Sequence, residues 1–204
     1  MKYSSQILNI ILLFVLLIAF TNLCFYYKKM ENYKIASDSL KLELKMLQGN
    51  IKLHYNNTGR IINDFEVIDS NGNEILFSSL LNKKEKFVYK FSLQNCFSCI
   101  NHELLLIKKF NNILNDKNSL IVIDSCSIRD LNLFKKFNNL ESLPIYRMAK
   151  ETNDINLILK KEEIPFVFFI NNQMQVKDLF IPMKEYPYYS EEYHKDMFDK
   201  YSYL

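Results

Sequence analysis

An apolar run that ends on two cysteines three residues apart limits what this chain can fold into more than any other stretch. Residues 87–110 read FVYKFSLQNCFSCINHELLLIKKF. Phe87, Val88, Tyr89 and Phe91 make an aromatic-rich run of strand length, broken by the polar Gln94-Asn95. Beyond the break Ile100, Leu104, Ile107 and Phe110 recur at helical spacing. The pattern predicts strand, tight turn and helix, with Cys96 and Cys99 at the mouth of the helix.

That position has chemical consequences. The first turn of a helix carries unpaired N–H groups and a partial positive charge, both of which favour a thiolate over a thiol. Cys96, the outer residue, is then the attacking sulfur. Cys99 lies about one turn further on, where it can close a disulfide with Cys96 or resolve a mixed one. The same residues also suit a metal site in the pattern Cys96-x2-Cys99-x2-His102, or two inert core cysteines. With four cysteines in the chain and no second CxxC, the redox reading is the fuller one.

On these residues the chain resembles the thioredoxin superfamily, in particular its membrane-anchored TlpA-like branch and the related AhpC-TSA (redoxin) proteins. KFSLQNCFSC aligns with the strand and active-site loop of that group, with Asn95, Phe97 and Ser98 as loop residues. A hairpin-like FEVIDSNGNEILFSSL (65–80), an apolar SLIVIDS (119–125) and IPFVFFI (164–170) follow the same order. The resemblance covers roughly residues 60–204. It implies a thioredoxin-like α/β fold, a central mixed sheet flanked by helices. It also implies a cis-proline at Ile164-Pro165 that faces the cysteines and binds extended substrate. Asn95 replaces the usual Trp, Ser98 a frequent Pro, and Lys90 stands where many thioredoxins carry a buried acid. A cation at Lys90 tunes the pKa of the site toward thiolate but cannot accept its proton in the same way. Tyr89 and Leu93 occupy the Pro and Thr positions of a peroxiredoxin motif, which argues against peroxidase activity.

Ahead of this region, residues 7–27 form an apolar segment long enough to span a hydrocarbon core about 30 Å thick. Phe25, Tyr26, Tyr27, Lys28 and Lys29 mark one interface. The segment exceeds the apolar region of a cleavable signal peptide and no small-x-small site follows it. Residues 1–28 therefore read as a transmembrane anchor, 29–58 as a helical stalk and 59–204 as the thioredoxin-like domain. Leu40, Leu44, Leu47 and Ile51 form a narrow stalk stripe suited to a weak dimer contact, and Gly49-Asn50 and 56–59 are breaks. Lysines after the span favour a cytoplasmic domain by the positive-inside rule. The resemblance instead implies the extracytoplasmic, periplasmic side of the membrane.

Within the domain, Asn71-Gly72 signals a hairpin turn. Helices are expected at about 128–139 and 153–161, an edge segment at LPIYRM, a further edge strand at VKDLFIP, and a C-terminal helix carrying Tyr193, Met197 and Tyr201. Cys126 is assigned a structural role, and His54 and His194 no catalytic one. A net charge of +3 without a concentrated basic patch does not suggest nucleic acid, and three glycines give no phosphate-cradling loop. The expected function is a membrane-anchored thiol:disulfide oxidoreductase whose active group is the Cys96–Cys99 disulfide, with no added cofactor or metal. Its partners are protein thiols or disulfides and an upstream dithiol donor or acceptor. The alternatives are an interaction module on the same fold without redox turnover, or the CxxCxxH metal site.

Overall fold

The computed structural model describes residues 2–81, 85–94, 97–114, 119–124, 126–149 and 164–201, with the side chains of 2–10, 99, 111–114 and 198 left out. The chain divides into two units, 1–47 and 48–204. The first is helix alone. Helix α1, Lys2–Asn57, begins there, and its apolar residues such as Leu13, Phe14 and Leu17 face outward. It is long and apolar enough to cross a membrane. Leu40 and Leu44 of the stalk stripe are likewise exposed.

The second unit is built on a seven-stranded mixed sheet, in the order β2-β1-β5-β4-β3-β6-β7. Its strands are β1 (Glu66–Ile68), β2 (Glu74–Leu76), β3 (Lys86–Phe91), β4 (Ser119–Ile123), β5 (Ile145–Met148), β6 (Phe166–Ile170) and β7 (Val176–Phe180). β3, β4 and β5 run parallel, and the other pairings are antiparallel. Among the described residues the unit also carries helices α2 (Phe97–Leu114), α3 (Ile128–Phe137) and α4 (Pro187–Tyr201), a 3-10 turn at Phe77–Leu81 and the end of α1.

Strand alternation sorts the core into two layers. Phe87, Tyr89 and Phe91 of β3 pack with Ile100, Leu104 and Ile107 of α2, Leu131 of α3, and Tyr193, Met197 and Tyr201 of α4. Val88 points the other way, into a layer with Phe65, Phe77, Leu120, Val122, Phe166 and Phe168. β3 is buried along its whole length, as a central strand paired on both sides must be. The β1–β2 hairpin forms where Asn71-Gly72 predicts it. The Asp69 carboxylate accepts from the backbone N–H groups of Asn71 and Asn73, and Gly72 takes φ +90°. The Asn73 side-chain amide also donates to this carboxylate, at 2.9 Å, and that bond foremost, with the backbone ones, holds the Asp69 carboxyl below its ordinary value.

Several elements differ from expectation. α1 runs unbroken through Gly49-Asn50 to Asn57, because its last turns are tied to β7 by tertiary contacts that outweigh the roughly 1 kcal/mol cost of a helical glycine. Asn50 receives the Ile181 N–H and donates to the Ile181 carbonyl, at 3.0 and 2.7 Å. His54 Nδ1 lies 2.8 Å from the Leu179 carbonyl, which gives this histidine a structural task. The compact unit thus starts at Gln48, earlier than the composition break at 56–59 indicates. LPIYRM is not an edge: β5 sits between β1 and β4, and Pro144 precedes the paired residues, so its missing N–H interrupts nothing. The helix expected at 153–161 lies outside the described residues.

Candidate active site

The CxxC is reached from a strand on one side and a helix on the other. β3 delivers the chain toward the loop, and α2 starts at Phe97, immediately after Cys96. Phe97 is 68% exposed and Ser98 is exposed as well, so the helix opens toward solvent. No acidic residue occupies its first turn to offset the N-terminal field. Cys99 lies in that first turn, while Asn95, Cys96 and the side chain of Cys99 are outside the described residues. The Cys96–Cys99 pairing and the Cys96-Cys99-His102 metal set fall there too.

β6 enters beside the same end of β3. Lys90 pairs with Phe166, so Ile164 and Pro165, just before Phe166, stand next to the strand end that leads to the cysteines. Pro165 is buried and Ile164 half-buried. The bond between them is trans, since no cis peptide occurs among the described residues; this corrects the cis expectation. The trans form is the intrinsic preference of an X-Pro bond by about 0.5–1 kcal/mol.

Lys90 neither reaches the sheet edge nor stands as an isolated cation. It is 5% exposed, and its Nζ lies 2.7 Å from the Asp124 carboxylate at the end of β4 and 5.3 Å from the Phe166 ring centre. A buried ammonium needs such a partner, because desolvation costs several kcal/mol per ion. Charge at this place is therefore balanced across two neighbouring strands.

Sequence reasoning missed a second buried polar pair. Glu103, on α2 one turn after Cys99, is 0% exposed, and its Oε2 lies 2.8 Å from His194 Nε2 of α4. His194 is stacked on Phe110 at 5.4 Å and packs against Phe87. The signal was present: Glu103 falls between Ile100, Leu104 and Ile107 on the face that the spacing marks as buried. His194 is thus structural as far as its own contacts go, anchoring α4 to α2. α4 is also held at its other end by Asp178, which takes hydrogen bonds from Tyr193, Lys200 and Tyr201. Burial raises the Asp178 carboxyl, but the Lys200 and Tyr201 contacts together bring it below its ordinary value.

Cys126 is free and half-buried behind β4. Burial pushes its thiol up to about 11, against the opposing charge of Arg147. A rise of about two units leaves roughly a hundredfold less thiolate at neutral pH than an ordinary cysteine has. N-ethylmaleimide at pH 7.5 should therefore label Cys126 about a hundredfold more slowly in the folded protein than in urea, as followed by mass spectrometry. Equal rates would contradict the buried thiol.

No protein-family model matches the sequence, and no curated protein matches it. Solved structures do. One is the crystal structure of peroxidoxin BcpB from Mycobacterium tuberculosis, with 14% identity, a TM-score of 0.50, and 68% of this chain and 94% of that one covered. Another is the solution structure of a thiol:disulfide interchange protein from Bacteroides sp., with 15% identity, a TM-score of 0.50, and coverage of 68% and 90%. The second unit has a thioredoxin-like fold.

Proposed function

We propose that this chain is a membrane-anchored thiol:disulfide oxidoreductase, with α1 as the anchor and the thioredoxin-like unit on the extracytoplasmic side. The observation that carries the reading is the start of an 18-residue helix directly after Cys96, with Cys99 in its first turn and no acid there. The field of that helix end lowers a thiol pKa and keeps Cys96 reactive near neutral pH.

In the reducing direction, the Cys96 thiolate attacks a substrate disulfide, forms a mixed disulfide and expels one substrate thiolate. Cys99 gives up its proton and attacks the Cys96 sulfur, which expels the second substrate thiolate. Two electrons pass to the substrate, which takes up two protons, and the chain is left with a Cys96–Cys99 disulfide. A dithiol partner resets it, and the reverse sequence makes the same pair an oxidant. Ile164 and Pro165 are proposed to receive the extended substrate beside the end of β3. The Lys90–Asp124 pair is proposed to tune the thiol through a balanced dipole rather than a bare cation.

Equilibration of the purified full chain in detergent with glutathione buffers, followed by alkylation and mass analysis, tests this. Cys96 and Cys99 should change together, as one two-electron couple with a midpoint between about −270 and −120 mV. Two cysteines that stay alkylated at all potentials would end the proposal.

A further inference from the structure

Beside the start of α2 lies a cleft of about 210 Å³, walled by Ser98, His102 and Glu103 of α2 on one side and by the segment from Pro182 to Ser190 on the other. That is room for several waters or for the end of one long side chain. Three buried polar atoms of its lining, Glu103 Oε1, Ser190 Oγ and His102 Nε2, have no hydrogen-bond partner among the described residues. Glu103 is 0% and Ser190 1% exposed. Leaving a buried polar atom unmet is costly, and a carboxylate oxygen most of all. All three residues line the one cleft, which makes it the place where a group that donates several hydrogen bonds at once could reach them by small side-chain rotations.

We infer that the cleft binds a primary ammonium group carried by the disulfide partner, a reading that rests on the redox function proposed above. An ammonium has three donors and no acceptor. Glu103 Oε1 supplies the opposite charge, Ser190 Oγ accepts, and His102 accepts through Nε2 in its Nδ1-protonated tautomer. Glu103 is held for this task by its other oxygen, which is engaged by His194. Met183 and Pro187 give the methylene stem of such a group an apolar wall. Lys184 also borders the cleft but is exposed, where solvent and salt screen its charge. Ser98, which lines the cleft, is two residues from Cys96 in sequence, and this ties the cleft to the exchange proposed above.

Three small disulfides that differ in end group test the assignment: cystamine, with two ammonium ends, neutral bis(2-hydroxyethyl) disulfide, and anionic 3,3′-dithiodipropionate. Each oxidises the dithiol to the Cys96–Cys99 disulfide and is itself reduced to two thiols. The full chain should prefer cystamine over the neutral compound, and that ratio should fall about tenfold in Glu103→Gln, the loss of one charge-assisted hydrogen bond. Ser190→Ala should lower it about threefold and serves if the Glu103 variant does not fold. An unchanged ratio in both variants, or a preference for the anionic disulfide, overturns the inference. Titration with propylammonium, followed by NMR of the imidazoles, needs no redox chemistry. His102 and His194 should shift, His54 should not, and Glu103→Gln should abolish the shift. A titration without a shift rejects the cleft assignment whatever the cysteines do, whereas a shift without turnover rejects the redox function alone.

Discussion

Under the proposed exchange, Cys96→Ser is expected to remove disulfide reduction altogether, with the rate of insulin reduction by the full chain falling at least about a thousandfold to the uncatalysed background. The hydroxyl that replaces the thiol cannot form the mixed disulfide through which every later step passes. Cys99→Ser behaves differently. The first attack should survive, because Cys96 itself is unchanged, but the resolving thiol that would release the substrate is gone. The variant should accumulate a covalent complex that disappears with dithiothreitol and migrates as a heavier band on non-reducing gels. Single-turnover capture retained with turnover lost is the pattern that separates an exchanging pair from a passive one. Unchanged insulin reduction in Cys96→Ser would transfer the fold to an interaction role.

Asp124→Asn should cost about 2–3 kcal/mol of unfolding free energy, read from urea midpoints at constant slope. Removing one member of a buried ion pair strands the other, at roughly 3–5 kcal/mol. The partial exposure of Asp124, 31% for its side chain, lets water recover some of that loss. Lys90→Met removes the buried charge itself, keeps a chain of similar length beside the Phe166 ring that the ammonium faces, and should cost no more than about 1 kcal/mol. The order of the two variants is the informative quantity. If Lys90→Met proves the more damaging, Lys90 contributes through contacts other than its pair with Asp124.

Much of the fold could be read in the chain because its strands and helices announce themselves by period. Phe87, Tyr89 and Phe91 alternate with Val88 and Lys90 across β3, and Ile100, Leu104 and Ile107 mark the buried face of α2. The hairpin was visible in Asn71-Gly72, since few dipeptides accept that turn as easily. What stayed hidden depends on contacts distant in sequence. Gly49-Asn50 looks like a break until Ile181, 131 positions on, is seen to occupy the Asn50 amide. Lys90 looks like a bare cation until Asp124 appears at the end of the neighbouring strand. His194, set aside for its distance from the cysteines, closes on Glu103 from 91 residues away. The strand-turn-helix setting of the CxxC was legible because it is local, whereas the polar cleft beside it needs two segments that only the folded sheet brings together.

The docking of residues 48–57 onto β7 also decides where the sheet can grow. β7 is the last strand on its side, and a bare last strand offers its amides and carbonyls to any passing chain. Here Asn50 and His54 occupy the backbone of Ile181 and Leu179, while Gly59 and Arg60 exchange hydrogen bonds with Val176. A soluble fragment cut at Gly59 would shed the helical cover and expose a ready template for strand addition. One that begins at Gln48 carries its own hem.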